Sequence, residues 1–392
     1  MNRYNFDEYF NRRGSGALKY DGLSERYGDK DLLPLWVADM DFRTPDFIIR
    51  AIENRLKHTI LGYSLIPEEY YKCIIDWEKE HHNWALDKDW ISFIPGIVKG
   101  IGLCLNKFVN QGEKVIIQPP VYHIFNSVIS GNHYSVVNNP LLKNGDSYEM
   151  DFDNLEKCWD DKCKVLILSN PHNPVGITWD KDTLARLAEF CYDRKILVIS
   201  DEIHCDMTIF GNKHIPFATV SEKARNCSVT FRSASKTFNI AGVISSYAII
   251  PNEDIRNIFY EWLTVNELNE PSLFATLTTV AAFTMGNEWR KQMLHYIEEN
   301  IVFAEQFCRE NIPEIKPIRP QASFLLWLDC SELGLSKTEL EDLFIKKARL
   351  ALNSGEMFGQ GGQGFMRMNI AAPRDVVKQA LYQLKNAVDE IR

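Results

Sequence analysis

The sequence lacks the features that mark a membrane protein or an exported protein. Its longest weakly polar stretch, Leu273 to Met285, is too short to span a bilayer and contains several threonines. Residues 1–16 are polar and charged, without the apolar core of a signal peptide. We therefore expect a cytoplasmic protein that is not bound to a membrane.

An excess of positive charge is also missing. The chain has 53 acidic and 44 basic residues, a formal net charge of -9, and the charges are spread along its length. This balance argues against nucleic acid as a partner. The nine cysteines include no C-x-x-C pair, so we expect neither a disulfide framework nor a metal site.

Short β-branched runs alternate with amphipathic segments through the middle of the chain. The runs cover residues 115–117, 164–169, 196–200, 228–231 and 246–250. This alternation of strand and helix patterns predicts a mostly parallel sheet covered by helices. After Pro271 the pattern changes to a long helical stretch towards Asn311 and then to mixed short elements, which predicts a separate α+β domain.

The 392 residues are too many for one typical domain core. We expect a large domain over residues 46–285 and a small C-terminal domain over residues 286–392. Residues 1–45 are rich in turns and aromatic residues, and we expect them to pack on the small domain or on a partner subunit.

A lysine flanked by small hydroxyl residues comes directly after the predicted strand 228–231. The segment reads Ser233-Ala234-Ser235-Lys236-Thr237. A lysine with a lowered pKa is a competent amine nucleophile, and neighbouring hydroxyls bind a phosphate without crowding it. Most single lysines are solvated surface groups, so this motif does not decide the function alone.

Two more polar segments follow predicted strands, at the edge where open α/β sheets bind ligands. Asn173 lies in the turn after strand 164–169, and Asp201 and His204 follow strand 196–200. An asparagine donates to a phenolate oxygen, and a carboxylate keeps a pyridine nitrogen protonated. An Asx turn, a helix cap and a core histidine are the structural alternatives for these residues.

Further motifs extend over almost the whole chain. They are LPLWVADMDF at 33–42, LGYSL at 61–65, IPGIVKG at 94–100, QPPVYHIF at 118–125, SASKTFNIAG at 233–242 and GFMRMNIA at 364–371. With them the chain resembles fold-type I pyridoxal 5'-phosphate enzymes, the aspartate aminotransferase superfamily, and within it the MalY/PatB carbon–sulfur lyases related to cystathionine β-lyase. The resemblance implies an α/β large domain with a seven-stranded sheet, a small α+β domain and pyridoxal 5'-phosphate as the cofactor.

The same resemblance implies a role for each residue near the pyridine ring. Lys236 is similar to the lysine that holds the cofactor as a Schiff base and acts as the catalytic base. Asp201 is similar to the partner of the ring nitrogen, and Asn173 to the donor to the ring oxygen O3'. His204 stands where relatives often have tyrosine, and Tyr122 is similar to the aromatic residue that stacks on the ring and would assist the leaving sulfur.

The resemblance also implies how the phosphate is bound. The backbone N–H groups and hydroxyls expected there belong to Gly96, Ile97, Val98, Ser233 and Ser235. Tyr63 resembles a tyrosine that reaches the phosphate from the neighbouring subunit, which implies a homodimer with shared sites. Aminotransferases often have an arginine eight residues after the lysine; here that position is Ile244, which favours the lyase branch.

Arg367 is the expected ligand of the substrate. In the strand pattern of residues 365–370 it lies on the face opposite Met366 and Met368, which suits a bidentate clamp for an α-carboxylate. The resemblance adds Asn173 to the substrate site, and Trp36 and Asp39 are expected to line the side-chain pocket.

The function implied is β-elimination from an amino acid. Lys236 would remove the Cα proton, a thiolate would leave Cβ, and hydrolysis would give pyruvate and ammonia, so cystathionine or cysteine S-conjugates are the expected substrates. Two alternatives stay open. One is an aminotransferase that uses the same residues, and the other is a regulatory protein that binds the cofactor.

Overall fold

Strands and helices alternate along the chain in the computed structural model, which describes residues 4–392; residues 1–3 of the expected N-terminal segment lie outside the described residues. The strands are β1 Leu33–Pro34, β2 Ile91–Ile94, β3 Lys114–Ile117, β4 Ser135–Asn138, β5 Leu142–Asn144, β6 Ser147–Glu149, β7 Cys163–Ser169, β8 Leu197–Asp201, β9 Ser228–Ser233, β10 Ser246–Ile249, β11 Lys316–Ile318, β12 Leu325–Asp329, β13 Leu350–Ala351, β14 Asn353–Ser354 and β15 Phe365–Asn369. The α-helices are α1 Leu18–Asp21, α2 Leu23–Tyr27, α3 Asp46–Leu56, α4 Glu68–His82, α5 Ile97–Phe108, α6 Ile124–Gly131, α7 Phe152–Cys158, α8 Lys181–Asp193, α9 Glu222–Asn226, α10 Glu253–Val265, α11 Leu273–Met285, α12 Asn287–Asn311, α13 Lys337–Asp342 and α14 Arg374–Asp389. No helix within residues 4–392 combines the length and the apolar character needed to cross a membrane.

The central sheet has seven strands in the order β2-β10-β9-β8-β7-β3-β4. Its neighbours run parallel from β9 to β4, and β10 runs antiparallel to both β9 and β2. The predicted fold class is confirmed, and the five predicted runs agree with β3, β7, β8, β9 and β10 to within two residues. The pattern did not indicate β2 and β4, because β2 is four buried residues without alternation and β4 is a partly exposed edge strand.

The direction of the strands brings the chemically interesting loops to one edge. Asp201 at the end of β8 pairs with Ser169 at the end of β7. Ser246, the first residue of the antiparallel β10, pairs with Ser233 at the end of β9 and with Ile94 at the end of β2. The segments after β2, β7, β8 and β9 and the segment before β10 therefore meet at the same edge, where open α/β sheets bind ligands.

The C-terminal part forms a second, antiparallel sheet in the order β11-β12-β15-β14. β1 pairs in parallel with β13, with Leu33 opposite Leu350. The backbone N–H of Asn369 in β15 then donates to the carbonyl oxygen of Leu35 at 2.8 Å. The N-terminal segment thus lies along the C-terminal part, whereas the division of the chain at residues 45 and 285 stays a prediction.

The long helical stretch expected after Pro271 is two helices, α11 and α12, with Gly286 between them. A Cβ at Gly286 would be 2.2 Å from a ring carbon of Phe238 and 2.2 Å from the carbonyl oxygen of Ala282. Only glycine allows this close approach. The break between the helices therefore packs directly against the turn that carries Lys236, two residues before Phe238.

Candidate active site

A cavity of about 280 Å³ opens at the carboxyl edge of the central sheet. Most of the site residues expected from the sequence line it, namely Gly96, Ile97, Val98, Tyr122, Asn173, Asp201, His204, Ser235 and Lys236. Arg367 lies directly behind this wall, since its Nη1 donates to Asn173 Oδ1 at 3.1 Å. The fold thus brings together side chains that are far apart in the sequence.

Lys236 occupies the turn after β9, and its Nζ donates to the carbonyl oxygen of Ala38 at 2.6 Å. Burial lowers the pKa of Lys236 to about 8, although the carboxylates of Asp39 and Asp201 oppose the change. A lysine with this pKa is roughly one-tenth unprotonated at pH 7, a far larger fraction than for an ordinary lysine. It therefore meets the requirement for an amine that reacts with a carbonyl group and exchanges protons.

Asp201, at the end of β8, is buried and faces the same cavity. Its Oδ1 accepts from the backbone N–H of Ile203 at 3.1 Å, and within residues 4–392 it forms no ion pair. Burial raises its pKa to about 7. The charge of Lys236 opposes this rise without forming an ion pair. A buried carboxylate without an ion pair is costly, and a protonated pyridine nitrogen would supply the missing partner.

The next residue, Glu202, is a buried carboxylate that does have charged partners. Its Oε2 contacts Arg232 Nη2 at 2.7 Å and His214 Nε2 at 2.8 Å. Burial alone would raise the pKa of Glu202, but His214 and Arg232 outweigh burial and lower it to about 2. Glu202 thus belongs to a buried ionic network, whereas Asp201 lines the cavity without such partners.

His204 and Tyr122 complete the part of the wall expected to contact the ring. His204 is buried and its Nδ1 has no hydrogen-bond partner in the described chain. Burial, together with the charges of Lys236 and Arg367, lowers its pKa to about 3, so the imidazole is neutral at neutral pH. Burial raises the pKa of Tyr122, which therefore keeps its proton. Both residues offer neutral polar groups to a ligand.

The end of the cavity next to α5 has the properties of an anion site. Gly96 precedes α5 and has a φ of 114°, a conformation that glycine adopts readily. The backbone N–H groups of Ile97 and Val98 lie in the first turn of α5, where no intrahelical acceptor exists. The hydroxyl-bearing residues Ser235 and Ser246 line the same cavity. These groups together suit a phosphate.

Arg367 is a buried arginine that has no carboxylate partner within residues 4–392. Nη2 donates to the carbonyl oxygen of Trp36 at 3.2 Å, and Nε has no partner in the described chain. Burial lowers its pKa to about 10, so the guanidinium stays charged at neutral pH. The centre of the Phe358 ring lies 4.8 Å from the guanidinium carbon, so the cation contacts an aromatic face. A carboxylate ligand would supply the missing negative charge.

The structure does not bring all predicted residues to the cavity wall. Trp36 Nε1 donates to the carbonyl oxygen of Lys19 at 3.0 Å, which turns the indole away. The Asp39 carboxylate binds Arg12 Nη2 at 2.6 Å, so it acts on Lys236 only through its charge. Of this segment, Ala38 lines the cavity, and that Trp36 and Asp39 line the side-chain pocket stays a prediction.

Two further predicted residues also lie outside the wall. Ser233 Oγ is 2.9 Å from Ser235 Oγ and 3.2 Å from the carbonyl oxygen of Ser245, so it orients Ser235. Tyr63 is fully exposed in an irregular segment of the single chain. That Tyr63 reaches the phosphate site of a partner subunit stays a prediction.

Sequence reasoning missed several residues of the site. Ser169 ends β7 and lines the cavity, and its position at the end of a predicted strand was a usable signal. Ala38 contributes a backbone carbonyl, for which a sequence gives no signal. Asn369 holds that carbonyl in place, since its Nδ2 donates to the carbonyl oxygens of Val37 at 2.7 Å and Asp39 at 2.6 Å.

Comparisons with known proteins agree with this geometry. The family model for aminotransferase class I and II matches residues 30–384. Cystathionine beta-lyase PatB of Bacillus subtilis is 38% identical over 385 residues, which cover 98% of this chain and 100% of that protein.

Two solved structures share the fold over nearly their whole length. A PLP-bound protein of Clostridium difficile, provisionally described as an aminotransferase, has a TM-score of 0.95 and 39% identity and covers 98% of this chain and 100% of its own. Cystalysin of Treponema denticola, which contains a pyridoxal 5'-phosphate cofactor, has a TM-score of 0.95 and 32% identity, with 99% and 100% covered.

Proposed function

Because the chain belongs to the aminotransferase class I and II family, we propose that it is a pyridoxal-phosphate-dependent carbon–sulfur β-lyase. It would cleave cystathionine or cysteine S-conjugates to pyruvate, ammonia and a thiol. The observation that carries the proposal is that Lys236 and Asp201 line one cavity, Lys236 with a lowered pKa and Asp201 buried without an ion pair. The similarity to PatB and cystalysin supports the choice of β-elimination.

The residues of the cavity fit pyridoxal 5'-phosphate. When bound, this cofactor supplies an electron sink for the negative charge that develops at the substrate Cα. Asp201 would keep the ring nitrogen protonated, and Asn173 and His204 would contact the ring oxygen. The first turn of α5 and Ser235 would bind the phosphate.

The protein would contribute binding, orientation and proton transfer. Arg367 orients the substrate through its carboxylate. Lys236 Nζ, with its pKa of about 8, takes the proton from Cα, and the carbonyl oxygen of Ala38 accepts a hydrogen bond from the resulting ammonium. Tyr122 keeps its hydroxyl proton because its pKa is raised, so it donates to the sulfur that leaves Cβ.

We also propose that the protein is a cytoplasmic homodimer with shared sites. The segment that carries Tyr63 is the most exposed apolar part of the described chain, with Ile60 at 70%, Leu61 at 59% and Leu65 at 93% exposure. Burial of these side chains against a second copy would remove a large apolar surface from water. Sedimentation analysis of the wild-type protein and of Leu65→Glu tests this: the variant is expected to dissociate.

A product assay tests the reaction. The purified protein is supplied with pyridoxal 5'-phosphate and cystathionine, and pyruvate, ammonia and free thiol are followed together. Equal amounts of the three are expected, and Lys236→Ala should form none of them. Absence of pyruvate with the wild-type protein, in the presence of bound cofactor, would contradict β-elimination.

An aminotransferase is the second candidate. The name of the family model and the similarity to the Clostridium difficile protein favour it. The same incubation with a 2-oxo acid added distinguishes the two, because transamination gives a new amino acid without pyruvate or thiol. That the protein is a regulatory protein stays a prediction. Lys236→Ala distinguishes this role from the two enzymatic ones, because a purely regulatory role should survive the change.

A further inference from the structure

The end of the cavity next to α5, where the phosphate would bind, needs a positive charge. A cofactor phosphate carries close to two negative charges, and a partly buried anion needs a cation beside it. Position 244, which borders this end, is an isoleucine. Of the residues that line the cavity, the cationic ones are Lys236 and Lys99, and under the proposed function Lys236 is bound to the cofactor.

Lys99 is the third residue of α5 and follows the two residues whose N–H groups face the anion site. Its side chain is exposed, and no ion pair to it is found in residues 4–392. The remaining members of the cavity wall at this end are glycine, aliphatic and hydroxyl residues. Lys99 is therefore a free cation at the place where the anion would bind.

The first turn of α5 also differs from that of most other long helices. Helices α3, α4, α8, α10, α12 and α14 each have an acidic residue in the first turn, whereas α11 has none. An acidic residue there is favoured because the helix dipole is positive at that end. In α5 the first turn has no acidic residue and contains Lys99 instead. This arrangement is unfavourable without an anion and becomes favourable when one is bound.

We propose that the Lys99 ammonium is the cation that compensates the charge of the cofactor phosphate, in the absence of a charge at position 244. The inference rests on the proposed function and names a binding residue within it. Ile244 supports the geometry, since its Cγ2 lies 3.8 Å from where a Cβ of Gly96 would be. Ile244 thus lies beside the glycine that precedes α5, and Lys99 lines the same cavity two residues into that helix from Ile97.

Binding of two forms of the cofactor tests the proposal without any turnover. The cofactor-free protein is titrated with pyridoxal 5'-phosphate and, separately, with pyridoxal, which lacks the phosphate. For Lys99→Met we expect the Kd for pyridoxal 5'-phosphate to rise roughly tenfold, with no change in the Kd for pyridoxal. High salt should weaken phosphate-form binding by the wild type more than by the variant.

Lys107→Met is the matched control, because Lys107 is in the same helix but about 12 Å further along its axis. It should change neither Kd. In the Lys99→Met background, Ile244→Lys should restore most of the lost affinity for pyridoxal 5'-phosphate. A thermal melt of each cofactor-free variant verifies folding.

Two outcomes would overturn the role of Lys99. One is an unchanged Kd for pyridoxal 5'-phosphate in Lys99→Met, and the other is an equal loss for both ligands, which would mean that Lys99 shapes the cavity and not the phosphate contact. If the wild-type protein binds neither ligand, the proposed function itself fails, and the two failures are thereby distinguished.

Discussion

Replacement of Asp201 by asparagine should stabilise the cofactor-free protein at high pH. The carboxyl group has a pKa of about 7 in the fold against an ordinary value of 3.8, and burial is the main cause. Because the folded pKa is raised, ionisation opposes folding increasingly as the pH rises from about 4 to about 7. At 1.36 kcal/mol per pKa unit the cost reaches about 4 kcal/mol. Asparagine has nearly the same shape and no charge, so it avoids this cost.

The expected gain for Asp201→Asn is therefore about 1–4 kcal/mol at pH 8 and close to zero at pH 4. The assay is urea unfolding of the cofactor-free wild type and variant at several pH values between 4 and 9. The same change should reduce β-elimination strongly, because an asparagine does not hold a protonated ring nitrogen. A variant that is less stable than the wild type at pH 8, or a difference that does not vary with pH, would refute the reasoning.

Glu202→Gln is the matched control for this experiment. Glu202 is the adjacent residue and equally buried, but His214 and Arg232 outweigh burial and lower its pKa to about 2. Its contribution to stability is present above its ordinary pKa of 4.5 and is lost as the pH falls towards 2. Glutamine would leave Arg232 without part of its compensation, so a loss of about 3–5 kcal/mol at pH 8 is expected. Two neighbouring carboxylates should thus respond with opposite signs.

Two other substitutions test the substrate clamp and the segment that contacts Lys236. Arg367→Lys should raise the KM for the amino acid roughly tenfold to a hundredfold while the Kd for the cofactor is unchanged, because lysine does not form the bidentate contact. Asn369→Ala should lower the pKa of Lys236 by about 1 in the cofactor-free protein, since the Ala38 carbonyl oxygen loses its fixed position. The pH dependence of chemical labelling of Lys236, followed by mass spectrometry, measures this pKa.

Each of these two predictions has its own control. For Asn369, the control is Asn353→Ala, because Asn353 Nδ2 donates to the carbonyl oxygen of Trp36 at 2.7 Å and leaves the neighbours of Ala38 untouched. An equal change in both variants would show that general loosening, and not the Ala38 contact, sets the pKa of Lys236. For Arg367, an equal rise in the KM and in the Kd for the cofactor would point to damage of the whole cavity.

The sequence predicted the parts of the site that come directly after strands. β-branched runs marked β7, β8 and β9, and their carboxyl ends locate Asn173, Asp201 and Lys236 at one edge of the sheet. Strand direction and chain order are enough for this result, because parallel neighbours bring successive loops to the same side. These residues could therefore be predicted without knowledge of any tertiary contact.

The contacts made by the segment after β1 could not be predicted in this way. The pairing of Asp39 with Arg12 and the orientation of Trp36 towards Lys19 depend on how the N-terminal segment folds over β15. The acceptor for Lys236 is a backbone carbonyl, which every residue possesses, so no side chain indicates it. Lys99 was missed for another reason. A lysine in an amphipathic helix is expected to be solvated, and only the structure shows that Lys99 lines the cavity.

The most direct measurement of the central claim is the site of cofactor attachment. The protein with bound pyridoxal 5'-phosphate is treated with borohydride, digested and mapped by mass spectrometry. The account predicts that the cofactor-derived mass is found on the peptide that contains Lys236, and that Lys99 and the other lysines remain unmodified. Attachment to a different lysine, or no attachment at saturating cofactor, would contradict it.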